Sequence, residues 1–151
     1  AVTETALYNN FLSREYLNGD YEDIVNFWDI TGMGSQERGD TQQIIENTIR
    51  MGGTLLVMIE KETSMISGTS WMTFDGRRIM LHHFGILPSL QGKGLSKILL
   101  KESLKFVKEK GYQVKLEVHS TNSKAINLYK KSGFRNLGDY EVYIIRDISK
   151  I

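Results

Sequence analysis

The chain has 151 residues, 40% hydrophobic and 25% charged, which is enough for one buried core. A formal net charge of +1 gives no global field for nucleic acid or an anionic membrane, and no apolar run approaches the roughly 18 residues of a membrane helix. Zero cysteines exclude a disulfide scaffold and a cysteine nucleophile; three histidines show no metal-binding spacing; and the lack of a basic-then-apolar leader makes the cytoplasm the expected compartment.

Residues 1–8 read as a tail. Weak alternation over 11–17 predicts a first strand, and Asn18-Gly19-Asp20 a turn whose Asp20 can cap the next helix. Ile24, Val25, Phe27 and Trp28 form a helical stripe over 21–31, which Gly32-Met33-Gly34-Ser35 breaks. After a polar, flexible stretch over 35–39, Asp40 or Thr41 caps a second helix with Ile44, Ile45, Thr48 and Ile49 on one face, ended by Gly52-Gly53. Residues 54–60 are apolar enough for an interior strand, and 65–74 alternate around Gly68. Asp75-Gly76 is a two-residue hairpin signal, so 77–87 should return antiparallel as a central strand buried on both faces.

A long amphipathic helix is predicted over 94–110, with Leu95, Ile98, Leu99 and Phe106 inward, Lys101 and Lys105 outward, and Gly111 as terminator. Residues 114–119 read as a short strand. Thr121-Asn122-Ser123 opens a helix carrying Ala125, Ile126, Leu128 and Tyr129, stopped by Gly133. Two last strands are predicted over 134–137 and 140–146. The order is mixed α+β rather than strictly alternating, and no linker or repeat interrupts it.

The stretch after Leu87-Pro88 carries the chemistry. Gln91-Gly92-Lys93-Gly94-Leu95-Ser96 joins a strand to a helix, where glycines let backbone N–H groups approach a ligand and the first helical turn adds unpaired donors. That is an anion site fit for a phosphate or pyrophosphate. A Walker A loop fails, because Leu87 stands at its first glycine and Gly94 follows Lys93; a dinucleotide fingerprint fails at Lys97. The loop resembles the acyl-CoA pyrophosphate loop, Gln/Arg-x-x-Gly-x-Gly/Ala, of the GNAT superfamily of N-acetyltransferases, matching at Gln91 and Gly94 and departing at Ser96. A second block also matches: Leu116-Glu117-Val118, Asn122, and the run from Ala125 through Leu128-Tyr129 to Gly133-Phe134. It is similar to the superfamily's second signature, particularly in ribosomal-protein alanine and related amino-terminal acetyltransferases.

The resemblance runs over 11–148 and implies a single GNAT domain across 1–151, an α+β fold with a central, mostly antiparallel mixed sheet flanked by helices. It implies an acetyl-CoA-dependent N-acetyltransferase that moves acetyl directly from the thioester to a primary amine in a ternary complex. A non-catalytic acyl-CoA-binding module, or a transferase using another acyl-CoA, stays open beside it. The acceptor would be a small-molecule amine or a protein amino terminus, on a monomer or homodimer.

The resemblance assigns the pantetheine arm to Phe84, Gly85 and Ile86, although a bulge would also explain Gly85. It assigns the pyrophosphate to Gly92, Lys93, Gly94, Leu95, Ser96 and Lys97. Tyr129 would protonate the leaving thiolate, or be a plain core tyrosine. Asn122 would touch cofactor, cap a helix, or both. A lysine amine near pKa 10.4 needs a base more than an α-amino group near 7.8 does. Glu117 matches the position of a catalytic glutamate; the alternative is a solvent-facing residue. His82 and His83 are rival bases, and as strand neighbours they should face opposite ways, so that at most one enters the cleft. Trp28, Asp29, Met33, Arg38 and Asp40, with Trp71, Tyr140 and Tyr143, are a candidate acceptor lining; core packing, capping or solvation would account for each equally.

Overall fold

In the computed structural model, which describes residues 4–8, 10–34 and 36–151, six strands lie side by side in chain order. They are β1 (Glu4–Tyr8), β2 (Phe11–Glu15), β3 (Thr54–Glu60), β4 (Ile66–Phe74), β5 (Ile79–Ile86) and β6 (Val114–Leu116). Neighbours pair antiparallel as far as β5, and β5 pairs parallel with β6. The helices are α1 (Tyr21–Thr31), α2 (Gln42–Arg50), α3 (Leu95–Lys110) and α4 (Ser123–Lys131). This is the mixed, mostly antiparallel α+β architecture that the sequence predicts. The chain divides into two compact units: residues 1–117 hold the whole sheet with α1 to α3, and residues 118–151 hold α4.

Alternation along β4 explains why its unit has helices on both faces of the sheet. Thr69 Oγ1 accepts from the Trp28 indole of α1 at 3.0 Å, and the Trp71 indole donates to Thr48 of α2 at 2.9 Å. Ser70, between them, points the other way, and its hydroxyl meets that of Ser103 on α3 at 2.6 Å. β3 and β4 are therefore buried almost end to end, which is why β3 reads as an apolar run and why β4 buries Ser67, Thr69 and Ser70 along with its apolar side chains. β5 departs from the expected two-faced burial. It is only half-buried from His82 to Gly85, because β6 flanks no more than its first three residues.

Helix ends follow their local chemistry. Thr41 caps α2 by accepting from the Ile44 N–H at 3.2 Å, and Gly111 closes α3 in the left-handed conformation at φ +86. Asp20 precedes α1 without capping it; its carboxylate instead takes both Arg14 guanidinium nitrogens, at 2.7 and 2.9 Å, and the Leu17 N–H.

Three further expectations need correction. Glu4–Tyr8 is a strand rather than tail, since pairing with β2 gives its backbone groups partners; residues 1–3, Asn9, and Ser35 at the head of the polar stretch lie outside the described residues. The β4–β5 connection is a four-residue loop, with Phe74 paired to Ile79. In it Asp75 Oδ1 accepts the Arg77 and Arg78 N–H groups, which hold its carboxyl below the usual range, Arg78 contributing most. The strands expected over 134–137 and 140–146 do not form. Residues 134–147 hold no strand or helix and precede a 3-10 turn at Ile148–Lys150, and Val142 and Ile144 are about two-thirds exposed, because β-propensity is realised only where a ladder partner stands alongside.

Gly68 tests the packing between β4 and β5. A Cβ there would lie 2.6 Å from Ile86 Cδ1 and 2.9 Å from the Gly85 carbonyl oxygen, and a backbone oxygen cannot step aside. Gly68→Ala should cost about 1–3 kcal/mol in urea denaturation, as overpacked sites do. An unchanged midpoint would contradict that close approach.

Candidate active site

The site begins where the sheet opens. β6 pairs with Ile79, Met80 and Leu81 and ends there, whereas β5 runs on to Ile86, so β5 has no β6 partner from His82 onward. The chain then turns through Leu87, whose N–H bonds Ser67, and a 3-10 turn at Pro88–Leu90. It emerges as the exposed segment Gln91-Gly92-Lys93-Gly94. Gly92 and Gly94 have φ of +84 and +80, a region that other residues enter only at a cost. α3 starts at Leu95 with no side chain capping it, so its first-turn N–H groups and the positive end of its dipole face outward. Exposed glycines, an uncapped helix start, and Lys93 and Lys97 on the surface fit a diphosphate. Packed side chains do not seal this bend.

The second feature was invisible to strand periodicity. Thr69 pairs with Gly85 and Trp71 with His82, so two steps on β4 face three on β5. The extra residue is a bulge opposite Ser70, and at it His83 takes φ +43. The bulge undoes the expectation that the two histidines face opposite ways. Both imidazoles pack against Trp71, with ring centres at 6.0 Å for His82 and 5.4 Å for His83.

The two rings are nonetheless committed differently. His82 shares a 2.8 Å hydrogen bond with Thr73, and burial, more than the neighbouring His83, depresses its pKa and favours the neutral ring. His83 lies edge-on to Trp28 at 4.8 Å and places Nε2 2.9 Å from the Asp40 carboxylate. Asp40, 43 residues away in sequence, comes from the connection between α1 and α2. Local sequence carries no signal for that pairing. The one hint was a histidine pair preceding Gly85 at a strand end.

The other candidates are placed as follows. Trp28 and Trp71 are 1% and 4% exposed and stack at 5.5 Å, forming a packed wall behind His83. Asp29 and Arg38 are exposed, on α1 and on the 3-10 turn that follows it. Glu117 is exposed and lies one residue past β6, which stops short of the predicted 114–119. In the 118–151 unit, Asn122 caps α4 by accepting from the Ala125 N–H at 3.2 Å. Tyr129 is buried against Phe134, and burial pushes its phenol up to about 12, so it is a protonated group at neutral pH. Tyr140 is 79% exposed.

The site joins a mixed sheet, whose parallel ladder stops at Leu81, to a glycine-bracketed helix start with no side-chain cap. The chain belongs to the Acetyltransferase (GNAT) family, whose profile matches residues 21–134. It is 27% identical over 104 residues to a mycothiol acetyltransferase from Clavibacter sepedonicus, covering 68% of this chain and 34% of that protein. It is 40% identical over 58 residues to the N-alpha-acetyltransferase RimI of Mycobacterium tuberculosis, covering 38% of this chain and 35% of that one. The matches thus span about a third of the length of these curated relatives. The fold matches that of a GNAT-family acetyltransferase from Staphylococcus aureus Mu50 with a TM-score of 0.74 at 20% identity, covering 87% of this chain and 88% of that one. No helix among the described residues is long and apolar enough to cross a membrane.

Proposed function

We propose that the chain is an acetyl-CoA-dependent N-acetyltransferase that passes acetyl directly to a primary amine in a ternary complex. The observation that carries this reading is the exposed Gln91–Gly94 segment that follows β5 and leads into an α3 start with no side-chain cap. Acetyl-CoA, when bound, supplies the activated acyl thioester. The backbone of Gly92 to Lys97 binds its diphosphate, with Lys93 and Lys97 adding charge. The Phe84-Gly85-Ile86 backbone aligns the pantetheine arm and aims an N–H at the thioester carbonyl. Direct attack by the amine needs no enzyme nucleophile, consistent with a chain without cysteine.

His83 is the base this geometry favours. Its imidazole pairs with the Asp40 carboxylate, whereas Glu117 is exposed one residue beyond β6 and His82 bonds the Thr73 hydroxyl instead of a carboxylate. The family resemblance gives Tyr129 the proton for the leaving thiolate, and its burial keeps that proton in place. The acceptor is the primary amine of a small molecule or of a protein amino terminus, as the names of the two relatives suggest.

Calorimetry with coenzyme A, followed by thiol release from acetyl-CoA across a panel of amino acids, polyamines, amino sugars and short peptides, tests the reading. Saturable coenzyme A binding with amine-dependent thiol release is expected. Absence of coenzyme A affinity would overturn it.

A further inference from the structure

We propose that Asp40 is the positioning residue of a carboxylate–imidazole pair in which Nδ1 of His83 takes the proton of the acceptor amine; this rests on the acetyltransferase reading above. The bond between Asp40 Oδ2 and His83 Nε2 is 2.9 Å, with side-chain exposures of 11% and 19%. An ionised carboxylate only accepts hydrogen bonds, so the ring hydrogen sits on Nε2 and the lone pair of the neutral ring on Nδ1. Among the described residues Nδ1 has no hydrogen bond. It is the proton-accepting atom that the pair leaves available.

The rest of the site holds that tautomer and ring plane. Trp28 and Trp71 meet the imidazole edge-on, at 86° and 71°. The Thr69 hydroxyl donates to the His83 carbonyl at 2.7 Å and fixes the bulge, while the Trp28 indole fixes Thr69 in turn. A left-handed φ of +43 at a non-glycine residue inside a strand persists only where its surroundings over-determine it. A histidine that merely filled space would need none of this.

The connection between α1 and α2 is built to reach the pair. The Tyr21 hydroxyl donates to the Asp40 carbonyl at 3.0 Å. Gly34 is buried directly over the bond, and a Cβ there would overlap both Asp40 Oδ2 and His83 Nε2. Met33, just before it, covers Gly85 in the same manner. The same short stretch therefore lies over the proposed base and over the strand segment assigned to the pantetheine arm.

In the transfer, the amine nitrogen forms a bond to the thioester carbonyl carbon and its proton passes to Nδ1. The carbon–sulfur bond breaks, and the sulfur leaves with the bonding electrons and takes up one proton, while Nδ1 releases the proton it gained to solvent, so the net exchange is one proton from amine to thiol. An amine near pKa 10.4 is about one part in 2,500 neutral at pH 7, while one near 7.8 is about one part in seven. A working base therefore matters more for the first, and a structural defect would not discriminate between them.

The test compares the full chain with Asp40→Asn, His83→Gly (a residue at ease at φ +43) and Gly34→Ala, each checked for native circular dichroism. The probes are acetyl-CoA with Nα-acetyl-lysine amide or an alanyl peptide amide. Asp40→Asn and Gly34→Ala should lower kcat about tenfold, and His83→Gly about 100-fold, on the lysine amine. Losses on the alanyl amine should be several-fold smaller, and KM for acetyl-CoA should stay within about twofold. Imidazole should partly restore His83→Gly. Without any cofactor, long-range 1H–15N NMR should show His83 as the Nε2–H tautomer in the parent chain and as a tautomer mixture in Asp40→Asn. An Nδ1–H tautomer in the parent, or equal losses on both amines with no imidazole rescue, would overturn the pair while leaving the acetyltransferase reading intact. A parent chain that neither binds coenzyme A nor releases thiol would sink that reading, and the proposed proton transfer with it.

Discussion

Trp28→Ala is expected to lower the free energy of unfolding by about 3–5 kcal/mol, the range for deleting a large buried aromatic side chain. Domains of this size are stable by only about 5–15 kcal/mol, so the variant should unfold at a far lower urea midpoint. Three losses combine at one position. The side chain is 1% exposed within the main core cluster, so its removal leaves a void that β4 and α1 cannot both close. Its stacking on Trp71 at 5.5 Å disappears. Thr69 Oγ1 also loses its indole donor, and Thr69 is the residue that pins the His83 carbonyl. Trp28→Phe keeps an aromatic ring but not the N–H, and should lose less stability. Urea titrations followed by circular dichroism decide the matter; a loss below about 1 kcal/mol for the alanine variant would show that the indole is not packed as described.

The elements that could be read from the sequence were those whose periodicity had room to repeat. α1, α3 and β4 each carry two or more turns or alternations, and β3 carries an apolar run of five residues, Leu55 to Ile59. β1 is five residues long and its partner is the strand that follows, so nothing within the segment announced it. The opposite failure occurred near the end. Val142, Ile144 and Ile145 have strand-forming side chains, yet no strand forms, because pairing is a property of two segments and sequence displays only one. At the site, Gly92 and Gly94 were legible because a positive φ leaves a residue-type mark. The bulge at His83 left none. A single extra residue between Trp71↔His82 and Thr69↔Gly85 reorients a side chain and brings it to Asp40, across 43 residues that periodicity cannot bridge. The expected strand over 114–119 is shorter for a related reason: its ladder with β5 stops at Leu116, one residue before Glu117.

Gly94→Val should weaken coenzyme A binding by tenfold or more while costing only about 1–2 kcal/mol of stability. The stability estimate follows from where the residue sits. A Cβ at Gly94 meets nothing within 4 Å, so no neighbour is displaced, and the penalty is that of a β-branched residue at φ +80 and ψ 5. The chain escapes that penalty by moving φ to negative values. Doing so turns the peptide planes at the start of α3 and redirects the N–H groups of Leu95, Ser96 and Lys97, the donors proposed for the diphosphate. The conformational strain is small in energy but falls on the geometry that binding uses. Gly76→Val supplies the comparison: Gly76 also has positive φ, at +91, and open space around a built Cβ, but it lies in the β4–β5 loop. Both variants should lose similar stability, and only Gly94→Val should lose affinity in calorimetry. Equal affinities for the two variants would remove the Gln91–Ser96 junction from the binding site. The cofactor assignment would then have to rest on the family match alone.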